Sequence, residues 1–193
     1  MTKRIGMIDG HPDPNPERFC HALAQAYAEA ALGAGHEVRR IAVATTDIPF
    51  LRSAHDWANG APGPDIRVAQ ETIAWAGHLV IIYPLWLGAM PALLKAFFEQ
   101  TFRPGFAIAH KHTKLWPGLL RGKSARIVVT MGMPGWFYRL FFRAHSLKSL
   151  ERNILKFSGI GPIRETLIGG VEERVEKRHA WLETMRQLGR EGT

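Results

Sequence analysis

One cysteine, Cys20, in 193 residues leaves no partner for an internal disulfide. A reducing compartment, the cytoplasm, is therefore expected. Cys20 follows Phe19 in an apolar helical pattern and reads as a small buried thiol. Long apolar runs are also missing. The most hydrophobic stretch, Leu79 to Leu94, is broken by Pro84, Gly88 and Pro91 and falls short of the roughly 20 residues that cross a bilayer. The run from Ile5 to Asp9 is too short for the apolar region of a secretory signal. A soluble chain without stable membrane insertion is expected. There is no repeat, low-complexity tract or linker, so residues 1–193 are expected to form a single domain.

A concentrated basic run is absent too. The 25 Lys and Arg outnumber 17 Asp and Glu, for a net charge of +8 and a pI near 10.1, but they are scattered. Scattered charge suits a general positive field that attracts small anions better than a nucleic-acid stripe. No metal is expected: His110 and His112 lack a companion ligand cluster. An apolar share of 46% with 22% charged residues is ordinary for a globular protein.

What is present is alternation of short β-rich runs with amphipathic segments. Arg4 to Ile8 reads as a strand ending at Asp9-Gly10. A helix follows from Pro16 to Leu32, with Phe19, Leu23, Ala26, Tyr27 and Ala30 at helical spacing. Val38 to Val43 reads as a second strand, 44–63 as an irregular loop, and Asp65 to Trp75 as a helix. His78 to Tyr83 is continuously apolar, as expected of a central strand buried on both faces. Pro91 to Thr101 forms a helix with proline at its first position. Strands at Arg126 to Thr130 and Pro162 to Ile168 flank a helix from Ala144 to Phe157. A last helix, Glu172 to Leu188, turns Val175, Leu182, Met185 and Leu188 inward. This order predicts an α/β fold: a flavodoxin-like, doubly wound, five-stranded parallel sheet of order 2-1-3-4-5. Ligands of such sheets bind beyond the carboxyl ends of the strands, so the loops after strands one, three and four should carry the function.

The first loop, Asp9 to Phe19, leads into a helix N-terminus suited to a phosphate, with His11 and Arg18 as added donors. The plainer alternative is a proline-stiffened turn. The third, Tyr83 to Pro91, places Leu85, Trp86 and Leu87 where a polar loop is expected, which suits a planar ring. The same residues would also serve inward packing or a subunit contact. The fourth, Thr130 to Tyr138, has Gly132 and Gly135 for close backbone approach and the Tyr138 hydroxyl as a donor to an anionic ring.

These loops, with Gly10-His11-Pro12, Pro84-Leu85-Trp86, Gly88 with Met90-Pro91-Ala92-Leu93, Lys95, Phe98 and Gly105-Phe106-Ala107, resemble the flavodoxin-like NAD(P)H:quinone oxidoreductases, which include DT-diaphorase. The resemblance spans about residues 4–170 and is most specific in the third loop. It implies that His11, Arg18, Phe19 and Cys20 hold a flavin's phosphate or pyrophosphate. Pro84, Leu85, Trp86 and Leu87 would hold the isoalloxazine, and Thr130, Met131 and Gly132 with Tyr138 its pyrimidine end. Tyr138 matches a tyrosine that relays charge in the family. His145 stands one residue from the spacing of that tyrosine's histidine partner. The resemblance further implies FAD, with FMN as the alternative, NADPH or NADH as donor, a quinone-like acceptor and a homodimer walled in part by Gly105-Phe106-Ala107.

The activity expected is a two-electron, ping-pong transfer in which donor and acceptor use one site in turn. A flavin-binding regulatory partner of a membrane transporter is the second reading, and nucleic-acid binding, from charge alone, the third. Gly118 to Ser124 imitates a phosphate-binding Walker loop but is one residue short, has Pro117 in the glycine position and runs into a strand. Gly159-Ile160-Gly161 reads as a turn. Trp136 to Arg143 is aromatic enough to serve the core or a dimer contact. The sharper alternative is peripheral contact with a membrane surface that gives access to lipid-soluble quinones.

Overall fold

The computed structural model describes residues 1–110, 118–171 and 175–193. Five parallel strands lie in the order 2-1-3-4-5. They are β1 (Arg4–Asp9), β2 (Glu37–Ala42), β3 (His78–Pro84), β4 (Ser124–Thr130) and β5 (Ile163–Ile168). The fold class expected from the sequence is the one observed. Every residue of β3 is buried, as its unbroken apolar run requires of a strand covered on both faces. The half-exposed pattern of β2 marks it as an edge.

The helices are α1 (Phe19–Gly33), α2 (Ala54–Asn59), α3 (Pro64–Trp75), α4 (Ala92–Thr101), α5 (Gly135–Leu140), α6 (His145–Ser149) and α7 (Val175–Glu191). One core cluster lies between the sheet and α3, α4 and α6, centred on Ile81, Tyr83, Phe97 and Ile127. The other joins the opposite face to α1 and α7 through Met7, Leu23, Tyr27, Val80 and Met185. Because the chain leaves β1 for β2 on one side and crosses from β2 to β3 on the other side of β1, the crevice opens above the carboxyl ends of β1, β3 and β4.

Several expectations need correction. The stretch 44–63 is not wholly irregular: a 3₁₀ turn at Val43–Thr45 ends β2 early, and α2 lies within it. Ser53 caps α2 by accepting from the Asp56 N–H (3.0 Å). Its far end is closed from a distance, by Arg103 donating to the carbonyls of Gly60 (2.7 Å) and Asp56 (2.6 Å). α1 begins at Phe19 rather than Pro16, because Asp13 and Asn15 bind the N–H groups of Asn15 and Glu17 and hold the loop in turns. Pro91 caps α4 from just outside it. The helix expected over 144–157 starts at His145 and winds as a π-helix over Leu150–Lys156. Glu172 to Arg174, the side chain of Val175, Lys111, His112 and Pro117 lie outside the described residues.

The Walker-like stretch is structural. Lys123 donates through Nζ to the Ala74 (2.7 Å) and Ala76 (2.5 Å) carbonyls at the end of α3. A Cβ on Gly118 would fall 2.1 Å from the Ser158 carbonyl carbon, so the glycine is there for backbone packing.

α7 matters to the crevice because it delivers Arg178, and its position depends on Gly189. A Cβ at Gly189 would sit 2.3 Å from the Tyr27 carbonyl oxygen of α1. Gly189→Ala is expected to force the helices apart and destabilise the fold by roughly 1–3 kcal/mol, despite alanine's better helix propensity. Urea unfolding reads this as a lower midpoint at unchanged slope. An unchanged midpoint would mean that the helices do not meet this closely.

Candidate active site

Above the switch point between β1 and β3 lies a cavity of about 530 Å³. Ten of the sequence-predicted residues line it: His11, Arg18, Phe19, Cys20, Pro84, Leu85, Trp86, Thr130, Met131 and Gly132. The other three, Leu87, Tyr138 and His145, border a second cavity of about 560 Å³ with Leu85, Gly88, Met133 and Phe142. Leu85 lies on the boundary of both, so the two spaces adjoin.

The lining of the first cavity is partly polar. Arg18 precedes α1 without offering a side-chain acceptor, and no acidic residue sits in the first turn. The opening N–H groups of α1 thus meet no capping side chain, and the positive end of the helix dipole borders the cavity. Arg18 also pairs with Asp13 (2.6 Å). The Asn15 N–H and the Arg18 guanidinium hold the Asp13 carboxyl below the usual carboxylate range. His11 Nδ1 lies against the backbone of Asp13, 3.1 Å from its nitrogen and 3.2 Å from its carbonyl oxygen. Burial holds His11 below its ordinary pKa, so near neutral pH it is an uncharged donor. Its ring packs edge-on against Trp86, centroids 5.9 Å apart, and ties the first loop to the third.

Sequence reasoning missed Arg178 of α7, which lines the cavity together with Val171 and the carboxylates Asp13 and Glu17. Its Nε donates to the Val171 carbonyl (2.7 Å). No local pattern singled it out from the other basic residues of the last helix. Also missed was Asp9, fully buried at the end of β1. Its carboxylate accepts from Arg40 and from His21 Nδ1 (2.6 Å), while His21 Nε2 lies 2.8 Å from the Asp13 carbonyl. These contacts anchor the first loop to β1, β2 and α1.

Cys20 is buried with Sγ 3.3 Å from Thr130 Oγ1. Burial pushes its thiol up to about 12 from 9.0. A tenfold change accompanies each pH unit, so thiolate at pH 8 should be about a thousandfold scarcer than in the unfolded chain. Iodoacetamide is expected to label the native thiol at least that much more slowly than the urea-unfolded one. Comparable rates would contradict the burial. The sign follows: this thiol costs no stability below pH 9 and disfavours the fold only as pH rises from there toward 12.

Tyr138 is buried, and its hydroxyl already has partners. It lies 2.8 Å from Ser146 Oγ and accepts from the Leu147 N–H (3.3 Å). The hydroxyl expected from the sequence to act as a donor is thus shared with Ser146 of α6. The core reading of the Trp136 to Arg143 segment is also corrected: Trp136, Leu140 and Phe141 are exposed, and of α5 only Tyr138 is buried. Gly105-Phe106-Ala107 lines neither cavity of its own chain. Around the second cavity three non-glycine residues have positive φ: Leu87 (46°), Arg143 (51°) and Ala144 (48°). Such conformations cost roughly 1–3 kcal/mol each and gather at functional sites.

A family model described as flavodoxin-like fold matches residues 3–188. The chain belongs to that family. Among its flavodoxin-like relatives, a ribosyldihydronicotinamide dehydrogenase-like protein of Penicillium crustosum is 26% identical, over 69% of this chain and 58% of its own. An FMN-dependent NADH:quinone oxidoreductase of Nitratidesulfovibrio vulgaris is also 26% identical, over 88% of both chains. The crystal structure of Smu.1420 from Streptococcus mutans superposes with a TM-score of 0.81 at 26% identity, covering 97% of this chain and 98% of its own. The chain spans just over half the length of the first curated relatives it matches. Among the described residues no helix is long and apolar enough to cross a membrane.

Proposed function

We propose that this flavodoxin-like protein is a flavin-dependent NAD(P)H oxidoreductase that reduces quinones or similarly flat acceptors. One observation carries the reading: the first cavity brings together a helix N-terminus without a side-chain cap, two arginines, Leu85 and Trp86. That is the profile of a flavin, charged at its phosphate and apolar over its rings. The names of the relatives point the same way.

The residues present fit such a cofactor. Arg18, Arg178 and the first turn of α1 would bind its phosphate end, with His11 as a neutral donor. Two arginines with a helix N-terminus suit the pyrophosphate of FAD; FMN, named for the two Nitratidesulfovibrio vulgaris relatives, is the alternative. Leu85 and Trp86 would carry the ring face, and the backbone of Met131 and Gly132 its polar edge. The bound flavin supplies two-electron transfer between donor and acceptor.

The chain's own contribution is to position and to shield. Leu85, Met133, Phe142 and Tyr138 give the second cavity an apolar wall, against which nicotinamide and acceptor would lie in turn. Tyr138 and Ser146 share a proton beside that space and are the donors placed to answer charge that develops there. His145, on the same wall, is the candidate to return a proton to that pair. The exposed Leu87, Leu140 and Phe141 give a second copy of the chain an apolar surface to cover, which supports a homodimer.

Initial rates at several NAD(P)H concentrations, each with varied quinone, test the reading. Parallel double-reciprocal lines are expected. Intersecting lines would remove the shared site, and absence of turnover with every acceptor would remove the enzymatic reading.

A further inference from the structure

A third cavity, of about 780 Å³, flanks the second on the β5 side. Consecutive residues of one loop border all three spaces: Gly132 the first, Met133 the second, Pro134 and Gly135 the third. With 3.8 Å between successive Cα atoms, the spaces are within reach of one extended ligand. Two tryptophans, Trp136 of α5 and Trp181 of α7, line the third cavity with two cations, Arg139 and Lys177. Its floor is backbone: a Cβ on Gly169 would fall 2.3 Å from the Gly135 nitrogen and 2.7 Å from the Met133 carbonyl oxygen. The two loops are pressed together there.

We propose that this cleft binds the adenosine 2′-phosphate end of NADPH and makes the protein selective for NADPH over NADH. The inference rests on the oxidoreductase reading given above, with the nicotinamide in the second cavity. The indole faces of Trp136 and Trp181 suit a purine, which binds by stacking. Arg139 suits a phosphate dianion, which a guanidinium grips in a planar fork. Glu165 takes only Arg139 Nη2 (3.2 Å), so the Nε and Nη1 donors remain for the phosphate. Lys177 adds charge on the opposite wall. NADH brings the same purine but a 2′-hydroxyl, and gains little from either cation.

The test compares flavin-loaded wild type with Arg139→Gln and Lys177→Gln. In each variant KM for NADPH should rise about tenfold, as expected for loss of a charge-assisted phosphate contact. KM for NADH, kcat and the flavin spectrum should stay within about twofold. A second readout needs no turnover. Adenosine 2′,5′-bisphosphate should quench the tryptophan fluorescence of wild type at concentrations at least tenfold below those of 5′-AMP, and Trp181→Phe should weaken both. Equal efficiency with NADH and NADPH in an active enzyme overturns the cleft assignment and leaves the oxidoreductase reading standing. Equal binding of the two adenosine nucleotides overturns it as well. A protein without flavin or turnover sinks the oxidoreductase reading, and the NADPH assignment with it.

Discussion

Replacing Arg18 and Arg178 together by glutamine is expected to lower flavin affinity about a hundredfold while the protein still folds. The two guanidiniums reach the same cavity from residues 160 positions apart, one before α1 and one within α7. Each would offer a charge-assisted hydrogen bond to a phosphate oxygen, worth roughly 1.5–3 kcal/mol. Arg18 is half exposed, and water screens part of that, so about 3 kcal/mol for the pair is a fair sum, or about a hundredfold in Kd. Within the protein the double substitution breaks the Arg18–Asp13 pair and the Arg178 bond to the Val171 carbonyl, both at the surface. Thermal unfolding of the flavin-free forms should therefore be nearly unchanged. Fluorescence titration with FAD and with FMN measures the effect. If FAD suffers much more than FMN, the second arginine is serving the second phosphate. If neither weakens, the phosphate end has been assigned to the wrong place.

Asp9→Ala should cost about 3 kcal/mol. Removing one partner of a buried ionic network costs about 3–5 kcal/mol because the groups left behind lose their acceptor. The low end applies because the Arg40 side chain is about one-third exposed and can turn toward water. At 2–4 °C per kcal/mol for a domain of this size, the melting temperature should fall by roughly 6–12 °C. Loop one would lose its tie to β1, since His21 bridges Asp9 and the Asp13 carbonyl. Flavin binding should weaken along with stability, and Asp9→Asn, which keeps one acceptor, should recover part of both. A loss below about 1 kcal/mol in Asp9→Ala would mean that the network does not hold the loop.

The sheet was legible because its signals are local. The apolar run of β3 says that it is central, and the alternation with helices says that the sheet is parallel. Together these located the crevice; the loops themselves singled out His11, Arg18, Leu85, Trp86 and Gly132, and the family resemblance added Phe19, Cys20, Pro84, Thr130 and Met131. Contacts made across long stretches of sequence were not legible. The short helix α2 is closed at its end by Arg103, more than forty residues away, so the Pro- and Gly-rich segment around it has the local signature of a loop. Arg178 reaches the cavity only because Gly189 lets α7 settle against Tyr27. Asp9 had a weak signal, an acidic residue closing an apolar strand, but its partners Arg40 and His21 come from separate elements. The loop pattern places the Tyr138 hydroxyl near the rings' site, but its bonds to Ser146 and Leu147 depend on how α6 folds back onto α5.

The most direct test is the visible spectrum of freshly purified protein, repeated after incubation with FAD or FMN and desalting. Retained absorbance with the two bands of oxidised flavin, bleached on addition of NADPH and restored by a quinone, is the predicted result. A colourless protein that retains neither flavin would leave the five-stranded fold in place and contradict the assignment of the cavity above β1 and β3.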